Sequence, residues 1–147
     1  MTRLSDKNVN IVSMEITKKP IENREDIRLL VENFYSKVKN DDMIGDIFND
    51  VLVFRWDTHI PIMIDFWDTV LLDGSSYRGN TMRVHIELNK VHPLKPEHFA
   101  RWKKLFFETL DEHFAGDKAN EAKSRVELME VLIQTKIARS DDPNFIQ

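Results

Sequence analysis

The chain contains no cysteine among its 147 residues. This absence excludes disulfides, iron–sulfur clusters, thiolate zinc sites and thiol nucleophiles. Glycine is also scarce, with 4 residues, whereas phenylalanine occurs 9 times. Because tight hairpins depend on glycine, this composition favours helices over a sheet of short strands.

Long apolar runs are missing as well. No stretch reaches the ~18 apolar residues of a membrane span. The start, MTRLSDKNVN, lacks the apolar run of a signal peptide. We therefore expect a cytoplasmic protein without a membrane partner. The formal charge of −4 argues against nucleic acid as a main partner.

The length suggests one domain. Capping residues and apolar periodicity predict an N-terminal arm at 1–22, a helical domain at 23–138 and a frayed tail at 139–147. The predicted elements are a helix capped by Asn23, a turn and short helix at 42–49, a helix within 56–72, a short helix capped by Asn80 at 81–88, a helix opened by Pro96, and a last helix at 118–138.

The segment from Trp56 to Leu72 has the clearest pattern. Because Pro61 would break a helix interior, we expect it in the first turn, with Thr58 as N-cap and Gly74 ending the helix. A histidine therefore lies within an apolar stripe. The residues of that stripe, spaced by three and four, are Trp56, His59, Met63, Phe66, Trp67 and Val70.

The sequence has 5 histidines. His59 and His85 fall on the inward faces of consecutive helices. For His92, His98 and His113, a surface or capping role is the better interpretation. Tyr35 also points inward, and a backbone carbonyl is the ordinary partner for a lone buried phenol.

Several site classes have no motif here. Di-iron and zinc helical motifs, a hydrolase nucleophile elbow, a phosphate loop and a dinucleotide fingerprint are all missing. What remains is two inward histidines, an inward tyrosine and many aromatics. This set fits a flat apolar cofactor whose metal takes one imidazole, such as haem. A haem-free interaction protein with these residues in its core is the competing interpretation.

The order of the motifs adds a resemblance to a known family. The chain resembles the truncated haemoglobins, most of all their third group, over about residues 23–138. The motifs that carry this resemblance are Phe34-Tyr35, Phe48, Trp56-x-x-His59, Phe66-Trp67, Tyr77-x-Gly79, His85, and the run Pro-Leu-x-Pro-x-His-Phe-x-Arg-Trp at 93–102.

The resemblance implies a two-over-two helical sandwich around haem b, iron protoporphyrin IX. It implies that His85 is the proximal iron ligand through Nε2. Tyr35, His59 and Trp102 match the distal polar positions, which stabilise a bound ligand. The residues expected to contact the cofactor are Phe34, Phe48, Trp56, His59, Met63, Trp67, Met82, His85 and Trp102.

The function implied is binding of dioxygen and other diatomic ligands. Distal donors would slow oxygen release, which makes bulk transport a poor use of such a pocket. Nitric oxide dioxygenation or peroxide reduction fits better, and both need electrons from a separate reductase. We therefore expect dioxygen, nitric oxide or peroxide as small ligands and a reductase as partner.

Overall fold

The computed structural model describes residues 18–51 and 55–141. Within these ranges the regular elements are helical, which confirms the predicted all-α class. The elements are α1 (Arg24–Lys39), a π-helical segment (Ile47–Val51), α2 (Trp56–Leu72), α3 (Thr81–Val91), α4 (Pro96–His113) and α5 (Asp117–Ser140).

The predicted capping residues hold the helix starts. The side chain of Asn23 accepts a hydrogen bond from the Asp26 backbone N–H at 3.0 Å, which caps α1. The side chain of Asn80 accepts from the Arg83 backbone N–H at 3.1 Å, which caps α3. Each bond satisfies one of the backbone donors that a helix start leaves without an intrahelical partner.

Helix α2 begins earlier than the sequence predicts. Its N-cap is Arg55, whose carbonyl oxygen accepts from the backbone N–H groups of Thr58 at 3.0 Å and His59 at 2.8 Å. The prediction of Thr58 as N-cap is therefore wrong. Pro61 lies inside the helix and costs it one backbone hydrogen bond. The added turn brings Trp56 into the helix.

The end of α2 also differs in detail. The left-handed residue is Asp73, with φ 58°, rather than Gly74. Aspartate tolerates this conformation better than most side chains. The backbone N–H groups of both residues turn back to the carbonyl of Asp68. The helix therefore ends near the expected place through a different residue.

The helices form two packed pairs that face each other. Helix α1 packs on α2 and α4, and α5 packs on α3 and α4. This is the two-over-two arrangement expected from the resemblance. The core between the layers is fully buried around Leu30, Phe34, Phe106 and Leu110.

The last residues of the segment before α1 pack against the helical domain. The backbone carbonyl of Lys19 accepts from the Ala115 N–H at 3.1 Å, and Ile21 is buried. The rest of the predicted arm, 1–17, and most of the predicted tail, 142–147, lie outside the described residues. Among the described residues, no helix is long and apolar enough to cross a membrane.

Candidate functional site

A cavity of about 660 Å³ lies between the helices. Its volume falls within the usual range for small-molecule and cofactor sites. The aromatic residues therefore leave a space in the interior. The haem-free interpretation requires that they fill it. Among the residues that line the cavity are Tyr35, Phe48, His59, Met63, Phe66, Trp67, Tyr77, His85, Leu88, Val91, Phe99, Trp102, Met129 and Ile133.

His85 lines this cavity, and one of its two ring nitrogens has a partner within α3. Its Nδ1 lies 2.7 Å from the carbonyl oxygen of Thr81, one turn earlier on α3. Because a carbonyl can only accept, Nδ1 carries the proton and Nε2 keeps its lone pair. Burial lowers the pKa of His85, while the bond to Thr81 acts in the opposite direction. The ring is therefore neutral near pH 7, the form that ligates a metal.

Tyr35 and Trp102 form a polar pair on the cavity wall. The indole N–H of Trp102 donates to the hydroxyl of Tyr35. Burial nevertheless raises the pKa of Tyr35 above its ordinary value, so the phenol stays protonated. The expectation of a backbone carbonyl as the ordinary partner for Tyr35 therefore missed this indole donor.

The indole of Trp102 is held by a stack of aromatic rings. Its ring lies 5.2 Å from that of Phe106, which lies 4.9 Å from that of Trp67, with interplanar angles of 14° and 20°. The ring of Phe34 meets Trp102 edge-on at 4.7 Å. These contacts fix the direction in which the Trp102 N–H points.

His59 and Met63 lie one turn apart on α2, and both line the cavity. His59 is only half-buried. Burial lowers its pKa, and nearby Asp57 opposes that effect. A neutral, half-buried imidazole at the wall of a cavity can donate, accept or swing toward solvent.

Trp56 lies outside the cavity wall. Its ring stacks on Phe48 at 6.0 Å and meets Tyr35 at 5.7 Å, while the Nζ of Lys39 lies 4.7 Å from its centre. Its indole N–H donates to Asn49 at 3.3 Å. Trp56 therefore supports the two residues that reach the cavity.

The structure brings together most residues predicted to contact a cofactor. Phe48, His59, Met63, Trp67, His85 and Trp102 all line one cavity with Tyr35. Phe34, Trp56 and Met82 do not lie on its wall. Phe34 packs behind Trp102, and Trp56 packs behind Phe48.

His92 is less exposed than a surface role predicts, and it lies beside His98. The rings of His92 and His98 lie 5.8 Å apart, and both are half-buried. His98 accepts from the Lys95 backbone N–H through Nδ1 at 3.0 Å, and it borders the cavity. This bond confirms the capping role considered for His98.

Sequence reasoning missed part of the wall. Val84 and Val91 on α3 line the cavity beside His85 and Leu88, the two residues of this helix that the sequence had placed on its inner side. Their spacing from Thr81 and His85 follows one helix face, so periodicity could have identified them. Tyr77 and Gly79 were recognised as a motif but given no role.

The cavity suits a flat apolar cofactor with one metal ligand. Val84 and Val91 line it yet are 57% and 70% exposed, so a flat apolar group could cover them. Among the described residues, no cluster of three or more histidine, aspartate or glutamate side chains could hold a metal ion. A haem iron needs only one protein nitrogen, and the geometry leaves Nε2 of His85 able to supply one.

Comparisons with known proteins agree with this geometry. No protein-family model matches the chain. The chain is 32% identical to the group 3 truncated hemoglobin ctb of Campylobacter jejuni over 110 residues, which cover 73% of this chain and 84% of that relative. It also resembles the crystal structure of group III truncated hemoglobin from Campylobacter jejuni, with a TM-score of 0.73, 30% identity, and coverage of 82% of this chain and 94% of the other.

Proposed function

Because this chain belongs to the group III truncated haemoglobins, we propose that it binds haem b in the described cavity and uses His85 as the proximal ligand. The observation that carries the proposal is the bond from His85 Nδ1 to the Thr81 carbonyl at 2.7 Å. This bond fixes the tautomer and directs Nε2 for ligation. Metal-bound histidines in proteins usually have such a second partner.

When bound, the haem supplies the iron at which dioxygen, nitric oxide or peroxide reacts and through which electrons pass. The chain supplies the surroundings. Phe66, Trp67, Leu88 and Met129 give the cavity apolar walls that exclude water. Excluding water strengthens every hydrogen bond made inside the cavity.

Tyr35 and Trp102 stabilise negative charge that develops on a small ligand. Trp102 can only donate, and its donation to Tyr35 polarises the phenol, which donates its own proton in turn. Donors placed before the reaction starts cost no reorganisation when the charge appears. Slow ligand release is the expected consequence.

His59 controls entry to the cavity. It is half-buried on α2 and neutral near pH 7, because burial lowers its pKa. A rotation of its side chain changes both the size of the entrance and the number of polar groups facing the ligand. His59 therefore acts as a gate and as an additional hydrogen-bonding group.

Tight retention of oxygen favours redox chemistry over transport. We propose that the protein converts nitric oxide and dioxygen to nitrate with one electron, or reduces peroxide to water with two electrons and two protons. The electrons come from a separate reductase. In peroxide reduction, Tyr35 and His59 assist by holding and passing protons near the cleaving O–O bond.

Addition of haemin to purified apoprotein tests the binding proposal. A stoichiometric titration with the absorption spectrum of histidine-ligated haem is the expected result. Failure to take up haemin would leave the haem-free interaction protein as the better interpretation. Nitrate production from nitric oxide, dioxygen and a reductant then tests the redox role. Tyr35→Phe should slow it, and an equal rate in that variant would contradict the role of the phenol.

A further inference from the structure

Tyr77 joins the helix that carries His59 to the helix that carries His85. Its backbone N–H donates to the Thr69 hydroxyl of α2 at 3.3 Å, and its ring lies 5.2 Å from that of Phe66. Its hydroxyl lies 3.1 Å from the Thr81 hydroxyl at the start of α3. The loop residue thus contacts both helices at once.

Gly79 makes this position of the ring possible. A Cβ atom at residue 79 would lie 2.5 Å from the Tyr77 hydroxyl oxygen and 2.7 Å from the ring carbon that bears it. Contacts this short are repulsive, so any side chain at 79 would displace the ring. In the Tyr77-x-Gly79 motif, the tyrosine ring therefore packs directly against the backbone of the glycine.

Thr81 links this loop contact to His85. Its side chain is held by the Tyr77 hydroxyl, and its carbonyl accepts from His85 Nδ1. Thr81 is also the first residue of α3, where helices fray most easily. Holding the Thr81 side chain restrains the first turn and, through it, the carbonyl that orients the His85 ring.

We propose that Tyr77 is a positioning residue for His85, acting through Thr81. This inference rests on the proposed role of His85 as haem ligand. The hydroxyl of Tyr77 fixes the rotation of the imidazole, and with it the direction of Nε2. Groups that orient a metal-binding histidine from behind commonly change metal affinity by about 10- to 100-fold when removed.

Tyr77→Phe tests the proposal, because it removes the hydroxyl and keeps the ring. In the haem-bound ferrous protein, we expect the iron–histidine stretching band to shift and broaden in the resonance Raman spectrum. Transfer of haem to a scavenging apoglobin should be about tenfold faster. Thr81→Val should give the same changes. The double variant should add little to either single variant, because both substitutions remove the same contact between the two hydroxyls.

Ser76→Ala is the matched control. Ser76 lies in the same loop, and its hydroxyl donates to Asp65 on α2 at 3.1 Å. Its removal should leave the stretching band and the haem transfer rate unchanged. Equal changes in Ser76→Ala and Tyr77→Phe would overturn the proposal, since loosening of the loop would then explain both.

A second measurement uses the apoprotein. Nitrogen NMR shifts should show His85 protonated on Nδ1 in the wild type and a mixture of tautomers in Tyr77→Phe. An unchanged tautomer together with an unchanged stretching band would overturn the role of Tyr77 while leaving haem binding intact. A wild type that binds haem without a histidine ligand, or binds none, would instead overturn the ligand assignment and this inference with it.

Discussion

The indole N–H of Trp102 donates to the phenol oxygen of Tyr35, and this bond joins α4 to α1 across the wall of the cavity. Two polar side chains that lie far apart in the sequence are therefore in contact in the fold. The pair sits among apolar rings, where hydrogen bonds are stronger than in water. The contribution to ligand retention that we propose for this pair can be measured.

Loss of either donor should speed oxygen release. A hydrogen bond to a charged group contributes about 1.5–3 kcal/mol, which corresponds to about a ten- to hundredfold change in rate. Trp102→Phe and Tyr35→Phe should each show this increase in stopped-flow oxygen dissociation. The double variant should fall short of the product of the two effects, since Trp102 acts partly through Tyr35. Unchanged rates in both single variants would contradict the account.

Ligand entry should depend on pH through His59. Because burial lowers its pKa, His59 is neutral at pH 7 and gains a proton only below the ordinary histidine value of about 6.5. The charged ring favours solvent, so association of carbon monoxide after flash photolysis should become faster as the pH falls. At neutral and higher pH the neutral ring should keep the entrance narrow and the association slow.

Two variants separate the charge of His59 from its size. His59→Ala should bind carbon monoxide rapidly at every pH. His59→Gln, which is polar but does not titrate, should bind slowly at every pH. If the pH dependence persists in His59→Ala, another group controls entry.

Phe106 should matter for stability as well as for the site. Its ring is fully buried between Trp67 and Trp102. Phe106→Ala should lower the free energy of unfolding by about 3–5 kcal/mol, measured by urea denaturation. It should also loosen Trp102 and so speed oxygen release.

The adjacent Phe107 provides the control for this prediction. Its ring is half-buried and faces the Nζ of Lys123 at 5.5 Å. Phe107→Ala should cost less stability and leave oxygen release unchanged. Equal losses in the two variants would show that the aromatic stack has no special role.

Much of this fold follows from local signals. Asn23, Asn80 and Pro96 mark helix starts because capping depends on a few neighbouring residues. The predicted start of α2 was wrong because the N-cap residue, Arg55, makes no side-chain capping bond that the sequence could indicate. Helix boundaries of this kind are set by packing, which the local sequence does not reveal.

The site was predictable where motifs combine with periodicity. Periodicity placed His59 and His85 on inward faces, and the resemblance to the truncated haemoglobins added Trp102. The structure places all three around one cavity. Periodicity could not show that Phe34 and Trp56 lie behind the cavity wall. Residues that line the cavity and residues that pack behind them recur with the same helical spacing. The role of Tyr77 depends on contacts across a loop, which spacing within one helix cannot show.

The ligand role of His85 is the central claim, and resonance Raman spectroscopy of the ferrous haem-bound protein tests it most directly. The wild type should show the iron–histidine stretching band. His85→Gly should lose this band, and added imidazole should restore it by occupying the vacated space. A band that persists in His85→Gly without imidazole would contradict the assignment and place the iron ligand on another histidine.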